Sequence, residues 1–320
     1  MIRIGILGAG TMAAVHAAAY ARMSDIEVVG VFGRTPGRAR AVAATCGASP
    51  VDGADALIGA PDLDAIDICL PSALHPAFAI SALQHGKHVL CETPMALSLA
   101  EAESMRDAAR QAGRLLQVGL LMRSVDAYAH VKAAAESGRH GRLLGLSAWR
   151  LGSYLHPNAP DHKTHYGDPT TELMTFDFDV ALWLMGRPAR LQALGGGTVT
   201  ALLGYADGGQ ATIMASGLMP PGSPFTVGFR ALFERAVFRL ETTFDQIPPR
   251  SAFTVATVDA AATAVALTPR DPYDVELRHF IDCIVGSGDL ALLDADRAIE
   301  ALHLSLATQR ALADGQPVIL

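Results

Sequence analysis

Gly8-Ala9-Gly10-Thr11-Met12-Ala13 lies between an apolar run and a helix-like stretch. This G-x-G-x-x-A spacing suits a turn that takes a pyrophosphate. The first glycine permits the tight turn, the second lets the main chain approach the phosphates, and the small Ala13 lets helix and strand pack closely. The phosphates then rest on the positive end of the helix, beside Thr11 and Met12. A dinucleotide held there would bring hydride transfer. About 20 residues on, the second strand ends in Phe32-Gly33-Arg34-Thr35, and Arg38 follows one helical turn later. An Asp or Glu there would hold ribose hydroxyls. Two guanidinium groups suit instead the extra phosphate of NADP(H), through charge-assisted bonds. The expected cofactor is NADP(H), with Gly8, Gly10, Thr11, Met12, Gly33, Arg34, Thr35 and Arg38 around it. The contrary reading makes both arginines solvated surface charges.

A second set of reactive side chains falls in YLHPNAPDHKTHYGD, residues 154–168. It holds Tyr154, His156, Asp161, His162, Lys163, His165, Tyr166 and Asp168, so three of the chain's eleven histidines fall within ten residues. Lys163 or Tyr166 could donate a proton to a substrate oxygen, and His165 could do so near its own pKa. The other reading is a polar surface segment with no chemistry. His156, His162 and His165 match no familiar ligand spacing, and no metal is expected. Glu172 opens the next helix. It could bind substrate hydroxyls, or be only a charge favoured at a helix N-terminus.

These groups need a scaffold. Residues 2–7, 27–32, 65–70, 87–91 and 115–119 read as short apolar strands. Helices alternate with them at 11–23, from Thr35-Pro36 to Gly47, at 75–85, and from the capping box Ser98/Glu101 to Gly113. Repeated βα units with nearly all-apolar strands predict a parallel sheet covered on both faces. The second half changes rhythm. Strands at 143–151, 198–206, 210–218, 225–233 and 236–241 include a hairpin at Asp207-Gly208-Gly209. Helices are expected at 173–185, 274–285 and 294–313. The fold class is α/β: a doubly wound parallel Rossmann sheet over 1–120, then a substrate-binding and oligomerisation domain over 121–320 with a mainly antiparallel sheet. The alanine-rich tract 256–266 has no functional reading.

Composition sets the outer limits. Of 320 residues, half are apolar and 18% charged, enough for a sizeable core in roughly two domains. The net charge of −7 without a basic run argues against nucleic acid or an anionic membrane as partner. No apolar stretch is long enough to span a bilayer, and the N-terminus lacks the pattern of a signal peptide. The four cysteines form no C-x-x-C pair. Reduced thiols in a cytoplasmic protein are expected.

The chain resembles the Gfo/Idh/MocA oxidoreductase family over nearly its whole length. The resemblance rests on GILGAGTMAAVHAAAY, on LPSALHPAFAISALQHGKHVLCETP at 70–94, on VGLLMRSVDAY at 118–128 and on TELMTFDFDVALWLMG at 171–186. Pro71, His75 and Gly86-Lys87-His88-Val89 match the family's pattern. The resemblance implies a Rossmann domain followed by an α/β domain with an open sheet, and a nicotinamide held at their junction. It implies that Leu70, Pro71, Ser72, His75, Glu92 and Thr93 line the cofactor. Arg123 stands where the family often has arginine, to orient an anionic or hydroxylated ligand or to brace the domain junction.

Two positions depart from that pattern. The family's E-K-P lysine is Thr93 here. In the later motif, Glu172, Phe176 and Asp179 stand where the family has aspartate, histidine and aspartate. Phenylalanine cannot transfer a proton, and threonine has no useful pKa near neutrality. Oxidation, which needs a base, suffers more than reduction of an electrophilic carbonyl or imine. The expected activity is an NADP(H)-dependent oxidoreductase, working as a reductase on a small polar carbonyl, hydroxyl or imine compound such as a sugar or cyclitol derivative. The alternative is a non-catalytic NADP(H)- and ligand-binding sensor, as in the family's yeast galactose-pathway repressor. An open antiparallel sheet needs its bare face covered, so a homodimer or homotetramer is expected.

Overall fold

The computed structural model describes residues 1–157 and 168–320. The first stretch carries β1 (Ile2–Leu7), α1 (Thr11–Tyr20), β2 (Ile26–Phe32), α2 (Pro36–Cys46), β3 (Ser49–Val51), α3 (Ala54–Ile58), β4 (Ala65–Ile68), α4 (His75–Gln84), β5 (His88–Cys91), α5 (Leu99–Ala112) and β6 (Leu116–Val118). The six strands form one parallel sheet in the order β3-β2-β1-β4-β5-β6. The order reverses beside β1, and in such sheets ligands sit beyond the carboxyl ends of the strands at that point. β4 is buried along its whole length, as the apolar runs predict.

Next come α6 (Asp126–Ser137), β7 (Leu143–Leu151), α7 (Pro169–Glu172), α8 (Met174–Met185), β8 (Arg190–Gly195), β9 (Thr198–Gly204), β10 (Gln210–Ser216), β11 (Thr226–Phe233), β12 (Ala236–Thr243), β13 (Arg250–Thr257) and β14 (Ala260–Ala264). The chain closes with α9 (Pro272–Ile284), α10 (Ala295–Asp314) and β15 (Val318–Ile319). The second sheet runs β14-β13-β12-β11-β7-β10-β9-β8-β15. Its pairs are antiparallel except β7 with β10, which are parallel, so the sheet is mixed and mainly antiparallel.

The period of two fixes the faces of this sheet. Leu191, Val199, Ile213, Ala148, Phe229, Phe238 and Phe253 are buried on one side, and helix α8 packs against β7 and β10. The register sets Trp149, Met214, Leu202, Leu232 and Val237 on the other side. The alanine-rich tract proves to be part of the hairpin β13–β14.

Two compact units divide the chain. One comprises Met1–Ser124 with Arg270–Ile299, the other Val125–Pro269 with Glu300–Leu320. The sequence reading grouped everything after residue 120 with the second half. The structure puts α9 in the first unit, where Leu277, Phe280 and Ile281 join Ala13, Ala17 and Tyr20 in one apolar cluster. No local pattern signals that packing.

Candidate functional site

In the first unit, the glycine turn is built as its spacing predicts. Gly8 takes φ +136°, and a Cβ there would lie 2.3 Å from the Cys69 carbonyl oxygen. Only glycine satisfies both conditions. The turn is tied to the sheet edge by Gly8 N–H donating to the Phe32 carbonyl at 2.8 Å. Gly10 is the N-cap of α1 and carries no side-chain cap, and the space above it is open. An uncapped helix start facing open space suits a phosphate. Ala13 is fully buried beneath it.

At the end of β2, Arg34, Thr35 and Arg38 are exposed. Among the described residues, neither arginine has an ion-pair partner. Gly33 lets this edge close on the turn, since a Cβ there would lie 2.4 Å from that of Ala9. Strand β3, which sequence reading missed, pairs Val51 with Phe32. This brings Asp52 level with Gly33, the nearest carboxylate in register.

After β4, Leu70 and Pro71 lead into a short turn at Ser72–Leu74. His75 does not point outward. Its Nδ1 lies 2.9 Å from the Pro94 carbonyl and its Nε2 2.7 Å from that of Leu70. Burial pushes the ring below its ordinary pKa, against the pull of those carbonyls. The neutral ring has one N–H, so it donates to one of these carbonyls and packs its other nitrogen against the second. Thr93 Oγ1 donates to the Gly119 carbonyl at 2.9 Å. Arg123 is buried and donates to the Leu292 carbonyl at 2.9 Å, bracing a loop of its own unit.

The sequence reading passed over a buried ionisable cluster directly under this edge. His16 of α1 reaches Asp67 Oδ2 through Nδ1 at 2.8 Å. Its Nε2 lies 2.9 Å from Glu92 Oε1, an ion-pair contact off the N–H axis. Cys69 Sγ is 3.4 Å from the same Nδ1 and 3.5 Å from Asp67 Oδ1. Burial alone would push the imidazole down. The Asp67 carboxylate, with Cys69, outweighs it and holds His16 well above the usual histidine range. Glu276 of α9 is also buried, with Oε1 unpartnered. Burial first, and Glu92 next, lift its carboxyl well above the ordinary range, so it stays protonated. The signal in the sequence was Asp67, an acid inside the apolar run AIDICL that had to find a partner.

His16, Asp67 and Cys69 offer ligand atoms within 4.8 Å of one another. Burial drives the Cys69 thiol far above its ordinary pKa, so the sulfur is protonated. The three are read as a hydrogen-bonded set.

Glu276 yields a prediction with a definite sign. The folded protein keeps a proton that the unfolded chain releases above about pH 4.3. Its contribution to stability is complete below that pH and is lost as pH rises towards the raised folded value. Relative to wild type, Glu276→Gln should gain about 1.4 kcal/mol per pH unit over that window. Urea midpoints at several pH values measure this, and a constant gap would refute it.

In the second unit, Asp168 caps α7 by accepting from Thr170 N–H at 2.8 Å, and Glu172 ends that helix half-buried. On α8, Asp177 is 1% exposed and accepts from Arg150 Nε at 3.0 Å and Nη2 at 3.3 Å. Burial lifts the Asp177 carboxyl despite the guanidinium beside it. The Arg150 guanidinium also lies over the Phe176 ring, 4.6 Å from its centre. Thus Phe176 is capped by a cation from β7. Asp179 is buried on the same helix. Arg150 escaped sequence reading although it shares the inward parity of Leu146 and Ala148. Lys163, His165 and Tyr166, with Asp161 and His162, lie outside the described residues.

Residues 2–120 match the model of the Gfo/Idh/MocA oxidoreductase family, NAD-binding Rossmann fold, and residues 128–239 match the Gfo/Idh/MocA C-terminal domain. A 1,5-anhydro-D-fructose reductase from Ensifer adhaerens is 27% identical over 99% of this chain and 98% of its own length. Inositol 2-dehydrogenase 1 of Saccharopolyspora erythraea is 33% identical over 58% of this chain, which spans about half, 54%, of that relative. The fold is shared with levoglucosan dehydrogenase in complex with NADH and levoglucosan, at TM-score 0.85 and 20% identity over 99% of each chain. On the two domain matches and the shared fold, the chain belongs to the Gfo/Idh/MocA oxidoreductase family.

Proposed function

We propose that the protein is an NADP(H)-dependent oxidoreductase that reduces a small polar carbonyl or imine, or acts on the matching hydroxyl compound, such as a sugar or cyclitol derivative. The observation that carries the cofactor choice is the exposed pair Arg34 and Arg38, without an ion-pair partner among the described residues, beside an uncapped glycine turn. The substrate class rests on relatives named as sugar reductases and inositol dehydrogenases. Asp52, level with Gly33, is the one feature that weighs towards NAD(H).

Gly8, Gly10, Thr11 and Met12 would hold the pyrophosphate, Gly33, Arg34, Thr35 and Arg38 the adenosine end, and the edge formed by Leu70, Pro71, Ser72, Glu92 and Thr93 the remainder. The bound dinucleotide supplies or accepts the hydride. The chain must then handle the proton on the substrate oxygen or nitrogen, a task worth 10²–10⁴-fold. Thr93 has its hydroxyl on the Gly119 carbonyl and Phe176 has no proton to give. The role therefore passes to Lys163, His165 or Tyr166, with Glu172 binding substrate hydroxyls. The same two residues favour the second reading, a sensor that binds NADP(H) and ligand without turnover.

Purified protein with NADPH, screened against polar carbonyls and imines, separates the two. Oxidation of NADPH by at least one compound supports the enzyme. Tight NADPH binding with no oxidation across the panel supports the sensor.

A second copy of the chain is part of this proposal. The open face of the second sheet carries Leu194, Leu202 and Leu232, exposed at 73%, 45% and 44%, with Trp149 and Met214 between them. Sedimentation should give a dimer or tetramer, and a monomer at micromolar concentration would refute this. The four free thiols fit a cytoplasmic, reducing compartment.

A further inference from the structure

We propose that His16 is a positioning residue for the cofactor edge: seated between Asp67 and Glu92, it holds the Glu92 carboxylate in place as an acceptor for a hydroxyl of the bound dinucleotide. The inference deepens the cofactor reading above and rests on it.

The geometry carries the argument. Asp67 lies within β4, one residue before its end, and Glu92 follows β5, the adjacent strand of the parallel sheet. His16 comes up from α1 and touches both, with Nδ1 on Asp67 at 2.8 Å and Nε2 beside Glu92 at 2.9 Å. A neutral imidazole has one N–H, so it cannot present protons to two carboxylates. The cation carries a proton on each nitrogen, so it can donate from Nδ1 to Asp67 and still set a positive edge beside Glu92. The second Glu92 oxygen accepts from Thr93 N–H at 3.2 Å. Gly119 leaves the room, since a Cβ there would stand 3.2 Å from that oxygen. The carboxylate thus has one oxygen bonded to the main chain and the other beside the imidazole, and the Glu92 side chain is 13% exposed, against 1% for His16 and 0% for Asp67.

Every element packed on His16 adds a titratable group. Tyr20 lies one turn along α1, Cys69 follows β4, Cys91 precedes Glu92, and Tyr273 and Glu276 come from α9. The Tyr273 ring centre is 5.9 Å from that of His16. Burial raises Tyr20, Cys69, Cys91 and Glu276 above their ordinary ranges, which keeps all four neutral. His16 is left as the cluster's one cation, facing two carboxylates. A merely structural histidine would need only one of them.

Two experiments test this on the full chain. In protein with ¹⁵N-labelled histidine, the His16 ring should show both nitrogens protonated at about pH 8, where an unperturbed imidazole is neutral. The signal is assigned by its loss in His16→Gln, or by its shift in Glu92→Gln if the first variant does not fold. A neutral tautomer at that pH overturns the proposal. In a double-mutant cycle, His16→Gln and Glu92→Gln should each weaken NADPH binding about tenfold, and the double variant no further than Glu92→Gln alone. Additive losses would mean that His16 does not act through Glu92, and would also overturn it. Wild-type protein that binds neither dinucleotide removes the cofactor reading instead. The proposal about Glu92 as acceptor falls with it, while the nitrogen spectrum still decides whether His16 is the cation.

Discussion

Replacing Arg34 by alanine should weaken NADPH binding about 10–100-fold and leave NADH binding within about twofold. A charge-assisted bond to a phosphate contributes about 1.5–3 kcal/mol, and each 1.4 kcal/mol is a factor of about ten. Among the described residues Arg34 has no ion-pair partner, so none of that gain is lost in breaking such a pair. Arg38 stands a helical turn away on α2 and should give a smaller loss. The measurement is fluorescence titration with both dinucleotides on wild type and variant. An unchanged ratio of affinities would refute the assignment. A large loss of NADH binding on Asp52→Ala would then point to a ribose acceptor just after β3.

The second large effect is on stability. Asp177→Ala should cost about 3–5 kcal/mol, because it strands the Arg150 guanidinium, 6% exposed, without its carboxylate. For a unit of this size that is a drop of roughly 10 °C in the unfolding temperature. Replacing both residues by apolar side chains of similar volume should recover most of the loss, since the pair's own desolvation cost disappears with it. Calorimetry on the single and double variants reads this directly. A double variant as unstable as Asp177→Ala would mean that the pair contributes far more than charge balance. The stack of Arg150 on Phe176 adds a check. Phe176→Leu should lose about 0.5–2 kcal/mol of cation–π attraction while leaving the ion pair in place.

Much of the scaffold could be read from local pattern, and the failures share a cause. The glycine turn, the apolar parallel strands and the hairpin at Asp207-Gly208-Gly209 each carry a short-range signal, and each is where the spacing puts it. The strand β14 was missed because Ala260–Ala264 has no apolar–polar alternation and is exposed throughout. Strand β3 has only three residues. Helix α9 was found, but its place in the first unit depends on partners far away in the chain. For the site, the cofactor loops were legible because the main chain does the work there. His75 was expected along the cofactor, and Arg123 either to orient a ligand or to brace the domain junction. Their outcome, bonds to carbonyls of their own unit, depends on loops that no spacing rule relates. His16 sits among alanines and reads as core, and only Asp67 hinted that the core there is charged.

The return of α9 to the first unit has a consequence for how the protein is made. On the ribosome, β1 to β6 emerge and can pair early. The face of α1 formed by Ala17 and Tyr20 still waits for Leu277, Phe280 and Ile281. At 5–20 residues per second, the wait lasts roughly 10–30 s. Throughout it the nascent sheet carries an uncovered apolar patch beside a half-assembled charged cluster. This interval is where chaperone dependence should concentrate, and changes on α9 should lower yield in the cell more than they lower the melting temperature of whatever protein is recovered.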